Sequence, residues 1–134
     1  MTAGVGRAMK NIPELSAAIR AVLTPDLIRP KYRGHASNPM YGHCYVASEA
    51  MFHLLGGWGS PYQAMRGKDE TGDVHWWLRD TRDGSIIDVT ADQFTSVGKL
   101  QPYANGRAGP FLTKQPSKRA QIVLGRVRTR LPTV

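Results

Sequence analysis

Residues 43–55, HCYVASEAMFHLL, constrain this chain more than any other stretch. Val46, Ala47, Ala50, Met51, Leu54 and Leu55 recur at the 3.6-residue period of a helix with one apolar face. Gly56-Gly57 follows and stops the helix in the usual C-terminal manner. The only cysteine of the chain, Cys44, falls at or just inside its N-terminus.

The segments around it set the fold class. Residues 13–24, PELSAAIRAVLT, predict an earlier helix, with Pro13 and Glu14 suited to its first turn and Leu15, Ile19 and Leu23 on one stripe. After Gly57 the period changes. Residues 62–66 predict a short strand, and 74–79, VHWWLR, are rich in β-formers. Asp83-Gly84 is a hairpin signal, and 86–90 return as the partner strand. Residues 90–94 predict a helical turn capped by Thr90, and 95–115 are loop-rich. Residues 116–127 predict a closing helix with Ala120, Val123, Leu124 and Val127 inward, against which the helix-weakening Gly125 counts. The order helix, helix, antiparallel strands, helix predicts an α+β fold: N-terminal helices, one starting with the cysteine, packed on a small antiparallel sheet, with a C-terminal helix.

Composition bounds the rest. The 134 residues suit a single domain over 1–134, with flexible ends expected at 1–12 and 128–134. Apolar residues at 41% and charged residues at 21% are ordinary globular usage, which excludes wholesale disorder. One cysteine excludes an internal disulfide and the usual structural zinc sites, and favours a reducing compartment. No apolar run is long enough for a membrane span, and Lys10 and Glu14 break the N-terminus where a signal peptide would need an apolar stretch. The expectation is a cytoplasmic protein with no membrane partner.

The formal charge of +8 is unevenly placed. Residues 101–134 hold seven basic side chains and no acidic one, whereas 34–100 are net negative. A basic end suits nucleic acid or an acidic protein partner, with Lys114, Lys118 and Arg119 as the binding candidates; the plainer reading is a solvated surface.

Three residues carry the chemistry. At a helix N-terminus the free amides and the dipole favour an anion, and the thiolate is the nucleophilic form of cysteine, although an inert buried cysteine fits the same position. His75 lies inside VHWWLR, either as a hydrogen-bonded core residue or as a general base. Alternation puts it on one face with Trp77 and Arg79, so Trp76 is expected in the core and Trp77 near the site. Asp88 follows on the next strand. With a two-residue Asp83-Gly84 turn it lies opposite Arg79, where a salt bridge is the plain alternative. A longer turn or another register would bring it nearer His75. A thiol needs a base, and an imidazole needs an acceptor that fixes its tautomer, so Cys44, His75 and Asp88 form a candidate catalytic set.

The stretches GHCYVASEAMFHLLGG, VHWWLRD and IIDVTADQF resemble the transglutaminase-like branch of papain-like cysteine enzymes. The resemblance covers about residues 41–94. In that superfamily the cysteine begins a buried helix, the histidine lies on a strand before an aromatic residue, and the aspartate follows on the next strand. This chain is much shorter than typical transglutaminases and has Val89 where a proline is common. The resemblance implies a hydrolase or acyltransferase with a Cys44, His75, Asp88 triad. It would act without a cofactor or metal on a peptide, a protein or a small amide. GHCYVASEA, TADQF and TKQPSKRA are also similar to strings in small uncharacterised phage proteins, which implies a phage-encoded chain acting in the host cytoplasm.

An oxyanion would need donors. The candidates are the Cys44 amide and the side chains of Asn38, Tyr41 and Gln63. His43 is a poor base for Cys44, because helix neighbours point about 100° apart. His35 has no evident partner, and His53 reads as a polar edge residue. The competing class is a non-enzymatic basic binding protein in which the three residues are structural.

Overall fold

The computed structural model describes residues 11–28, 40, 42–70, 72–95, 101–111 and 113–131. It contains α1 (Ile12–Val22), α2 (Cys44–Leu54), β1 (Tyr62–Lys68), β2 (Val74–Asp80), β3 (Ile86–Ile87), a short α3 (Asp92–Thr95), β4 (Arg107–Ala108) and α4 (Lys118–Arg130). Two 3-10 turns, Pro25–Leu27 and Pro102–Asn105, complete it. The fold is α+β. The sheet is antiparallel, in the order β3-β2-β1-β4.

The helices start where the local chemistry lets them. The Asn11 side chain accepts from the Glu14 N–H, with Pro13 in the first turn of α1, so the helix begins at Ile12. Ser117 caps α4 by accepting from the Ala120 N–H. That helix runs to Arg130, so 128–130 are helical and not part of a loose tail. Leu15, Ala18, Ile19 and Val22 of α1, the apolar face of α2, and Ala120, Val123, Leu124 and Val127 of α4 share one core with Ala64, Trp76 and Leu78 of the sheet. Burying an aliphatic side chain stabilises by about 1.5–3 kcal/mol, so this shared face holds the three helices on the sheet.

Polar ties fix how the helices sit. Glu49, fully buried on α2, accepts from both the Ser117 N–H and hydroxyl at 2.7 Å, which satisfies the start of α4. Arg126 of α4 donates to the Val22 carbonyl at 3.0 Å, capping the end of α1. Arg20 of α1 grips Asp92 through two bonds of 2.6 and 2.8 Å and also donates to the Val89 carbonyl. The last contact anchors the chain just after Asp88.

The hairpin between β2 and β3 differs from the two-residue turn. Asp80 N–H donates to Ser85 O, so four residues, 81–84, make the turn. The Asp80 carboxylate accepts from the Arg82 backbone and guanidinium, and Asp83 accepts twice from Ser85. These carboxylate-to-backbone bonds support the wider loop. The register becomes Leu78 with Ile87 and Arg79 with Ile86, two residues from the short-turn register. The strand expected over 86–90 ends at Ile87, because Asp88 turns back to accept from the Thr90 N–H.

The turn before β4 presses closely on β2. A Cβ on Gly106 would lie 2.4 Å from Cζ2 of Trp77. Gly125, in the exposed part of α4, has nothing within 4 Å of such an atom. Gly106→Ala is therefore expected to destabilise by about 1–3 kcal/mol through overpacking. Gly125→Ala is expected to stabilise by about 0.5–1 kcal/mol. Urea unfolding of the two variants checks this; equal effects would contradict the packing described.

Candidate active site

The site lies where α2 covers an edge of β2. β3 pairs only with Leu78 and Arg79, leaving the carbonyls of Val74 and Trp76 without a strand partner on that edge. Two side chains of α2 take its place. Ser48 Oγ donates to Trp76 O at 3.1 Å, and Cys44 Sγ lies 3.9 Å from Val74 O. Four helical residues rise about 6 Å and two strand residues about 6.6 Å, so the contacts stay in step. This match sets the first residue of α2 beside the start of β2, which carries His75.

Cys44 is 8% exposed, and as the first residue of α2 its N–H has no acceptor within the helix. His75 is 1% exposed. Its ring stacks on Trp77, with centroids 5.7 Å apart, and meets Phe94 edge-on. Nε2 lies 2.6 Å from Asp88 Oδ2, whose side chain is 3% exposed. The four-residue turn thus brings Asp88 to His75 rather than to Arg79. The other Asp88 oxygen accepts from the Thr90 N–H at 3.2 Å, and Oδ2 also accepts from the Tyr103 hydroxyl at 2.7 Å.

The opposite ring nitrogen, Nδ1, is buried and makes no hydrogen bond. An unpaired buried polar atom costs roughly 1–3 kcal/mol. Burial pushes the imidazole pKa down. The hydrogen bond and charge of Asp88, together with the contribution of Cys44, outweigh it, and the result is about 9. Tyr103 is held well above its ordinary value by burial and then by the Asp88 charge.

His43 is the contrasting case. It is also buried with Nδ1 unpaired, but burial lowers its pKa, and the Asp26 charge opposes this. No group of three or more His, Cys, Asp or Glu side chains among the described residues converges as metal ligands would. His75 instead uses one ring nitrogen for Asp88.

Asn38 and Tyr41 lie outside the described residues. Gln63 pairs with Arg79, four residues along β1 from the Gly67–His75 pair, or about 13 Å. It lines a separate cavity of about 380 Å³ beside Trp58 and Tyr62, so it is not placed to serve an oxyanion at Cys44. Trp77 is buried beside His75 as expected, and Trp76 joins the core. Lys114 and Lys118 are exposed and Arg119 is half-exposed, in and before the first turn of α4. Tyr103 was not among the sequence candidates. Its only sequence signal is an aromatic residue in the Pro102–Asn105 turn, among residues with no periodicity.

No family model, curated protein or solved structure matches this chain. Among the described residues no helix is long and apolar enough to cross a membrane.

The ion pair makes stability depend on pH with a definite sign. The folded pKa of His75, about 9, is above its ordinary 6.5. The stabilisation is therefore complete below about pH 6.5 and is lost as pH rises through about 9. The full effect is on the order of 3 kcal/mol. Denaturant unfolding at pH 6 and pH 10 is expected to show that loss in the wild type and a much flatter response in Asp88→Asn. Parallel responses in the two proteins would remove Asp88 as the cause.

Proposed function

We propose that this chain is a cysteine-dependent acyl-transfer enzyme, related to the transglutaminase-like branch of papain-like enzymes, in which Cys44, His75 and Asp88 act together. One observation supports it above the others. His75 is anchored through Nε2 by a buried carboxylate, while Nδ1 is left unpaired and the Cys44 thiol helps raise the ring's pKa. A ring anchored by a carboxylate at one nitrogen and open at the other is what the imidazolium of a thiolate–imidazolium pair needs.

In the proposed reaction the Cys44 thiolate attacks the carbonyl carbon of an amide or ester. The oxyanion that forms is met by the Cys44 N–H, which has no acceptor within the helix. The imidazolium gives its Nδ1 proton to the leaving amine or alkoxide, and the C–N or C–O bond breaks to leave a thioester on Cys44. Water or an amine then attacks the thioester while Nδ1 takes up its proton, and the carbon–sulfur bond breaks. Water yields hydrolysis or deamidation; an amine yields transamidation. Asp88 holds the ring and offsets its charge throughout. The substrate class is a peptide, a protein or a small amide.

p-Nitrophenyl acetate tests this. Mixing it with the wild type is expected to release nitrophenolate in a burst and to leave an acetyl group on Cys44, located by peptide mass spectrometry. Cys44→Ala is expected to give no burst, and His75→Ala to acylate roughly 10²–10⁴-fold more slowly. A burst undiminished in Cys44→Ala, or an acetyl group only on other residues, would exclude the reading.

A further inference from the structure

Asp88 Oδ2 serves two donors at once: His75 Nε2 at 2.6 Å and the Tyr103 hydroxyl at 2.7 Å. Tyr103 is fixed from behind. Its ring meets Trp77 edge-on with centroids 5.1 Å apart, and Trp77 stacks on His75. The turn that carries it lies tight on the sheet, since a Cβ on Gly67 would come within 2.9 Å of the Pro102 carbonyl. Aromatic packing therefore holds the hydroxyl on the same oxygen that orients the imidazole.

We infer that Tyr103 is a positioning residue for the proposed acyl transfer, acting through Asp88 to set how strongly the carboxylate holds the His75 imidazolium. The inference rests on the reading of Cys44 and His75 above. Two donors on one oxygen compete for its charge, so the tyrosine hydroxyl weakens the pull of Asp88 on the ring. It also leaves the carboxylate one preferred rotamer, with Thr90 N–H on Oδ1 and two donors on Oδ2. A ring held too firmly as imidazolium gives up its proton less readily to a leaving group. The groups that act on His75 are Asp88 and Cys44, with the uncharged rings of Trp77 and Phe94 against its faces. Those that act on Asp88 are His75, Tyr103 and the Thr90 amide.

Tyr103→Phe keeps the ring against Trp77 and removes only the hydroxyl. Two readouts follow in the same samples: the His75 titration by NMR, and the rate of Cys44 acetylation by p-nitroacetanilide, whose leaving amine must take its proton from the ring. The midpoint is expected to move to higher pH, and the rate to fall about ten-fold, as for loss of one hydrogen bond to a charged group. An unmoved midpoint or an unchanged rate overturns the inference, because a packing role alone would survive the change. If the phenylalanine variant does not fold, 3,5-difluorotyrosine placed at position 103 replaces it. As a stronger donor it is expected to move the midpoint to lower pH, and no movement overturns the inference equally. Absence of any acetyl group on wild-type Cys44 would instead sink the reading of the site, while the midpoint comparison would still report on Tyr103 and Asp88.

Discussion

The site depends on one unfilled edge. β3 is two residues long, so it leaves the Val74 and Trp76 carbonyls to be met by something other than a strand. Helix α2 meets them with Cys44 and Ser48, spaced one helical turn apart. A longer β3 would cover that edge and displace the cysteine. The edge is short because Asp88 leaves the strand to cap its own turn. The same residue that ends the strand is thus the one that reaches His75.

Buried charge makes this arrangement demanding. His75 and Asp88 are both nearly inaccessible, and an unpartnered charge there would be costly. The carboxylate is met by an imidazole, a hydroxyl and a backbone amide. The supports are drawn from distant parts of the chain. Arg20 of α1 pins the segment after Asp88, Glu49 ties α2 to α4, and the Pro102–Asn105 turn supplies Tyr103. The basic C-terminal segment is partly consumed in the same way, since Arg126 caps α1 rather than standing free.

The main helices and the two long strands were legible because their periodicity is repeated over several turns or residues. The stripe of α2 and the alternation around His75 each report many burial choices at once. Cys44 at a helix start and the shared face of His75 and Trp77 follow from those patterns. The four-residue turn was not legible in that way. Asp83-Gly84 is a strong two-residue signal, and the bonds that widen the loop come from Asp80, outside that pair. Parity survived the two-residue shift, so the face of Asp88 was readable while its level along β2 was not. β4 and the 3-10 turns are too short to leave a period, which is why Tyr103 was missed. Ser48 lies four residues after Cys44, a spacing visible in the sequence, but its acceptor is a carbonyl freed only by the brevity of β3.

The central proposal is that Cys44 and Asp88 both act on the His75 imidazole. The NMR titration of His75 in Cys44→Ala tests it most directly. The wild-type midpoint is expected near 9, and removing the thiol is expected to lower it. A midpoint that is the same with and without the thiol, or a wild-type ring that titrates at or below 6.5, would contradict the account.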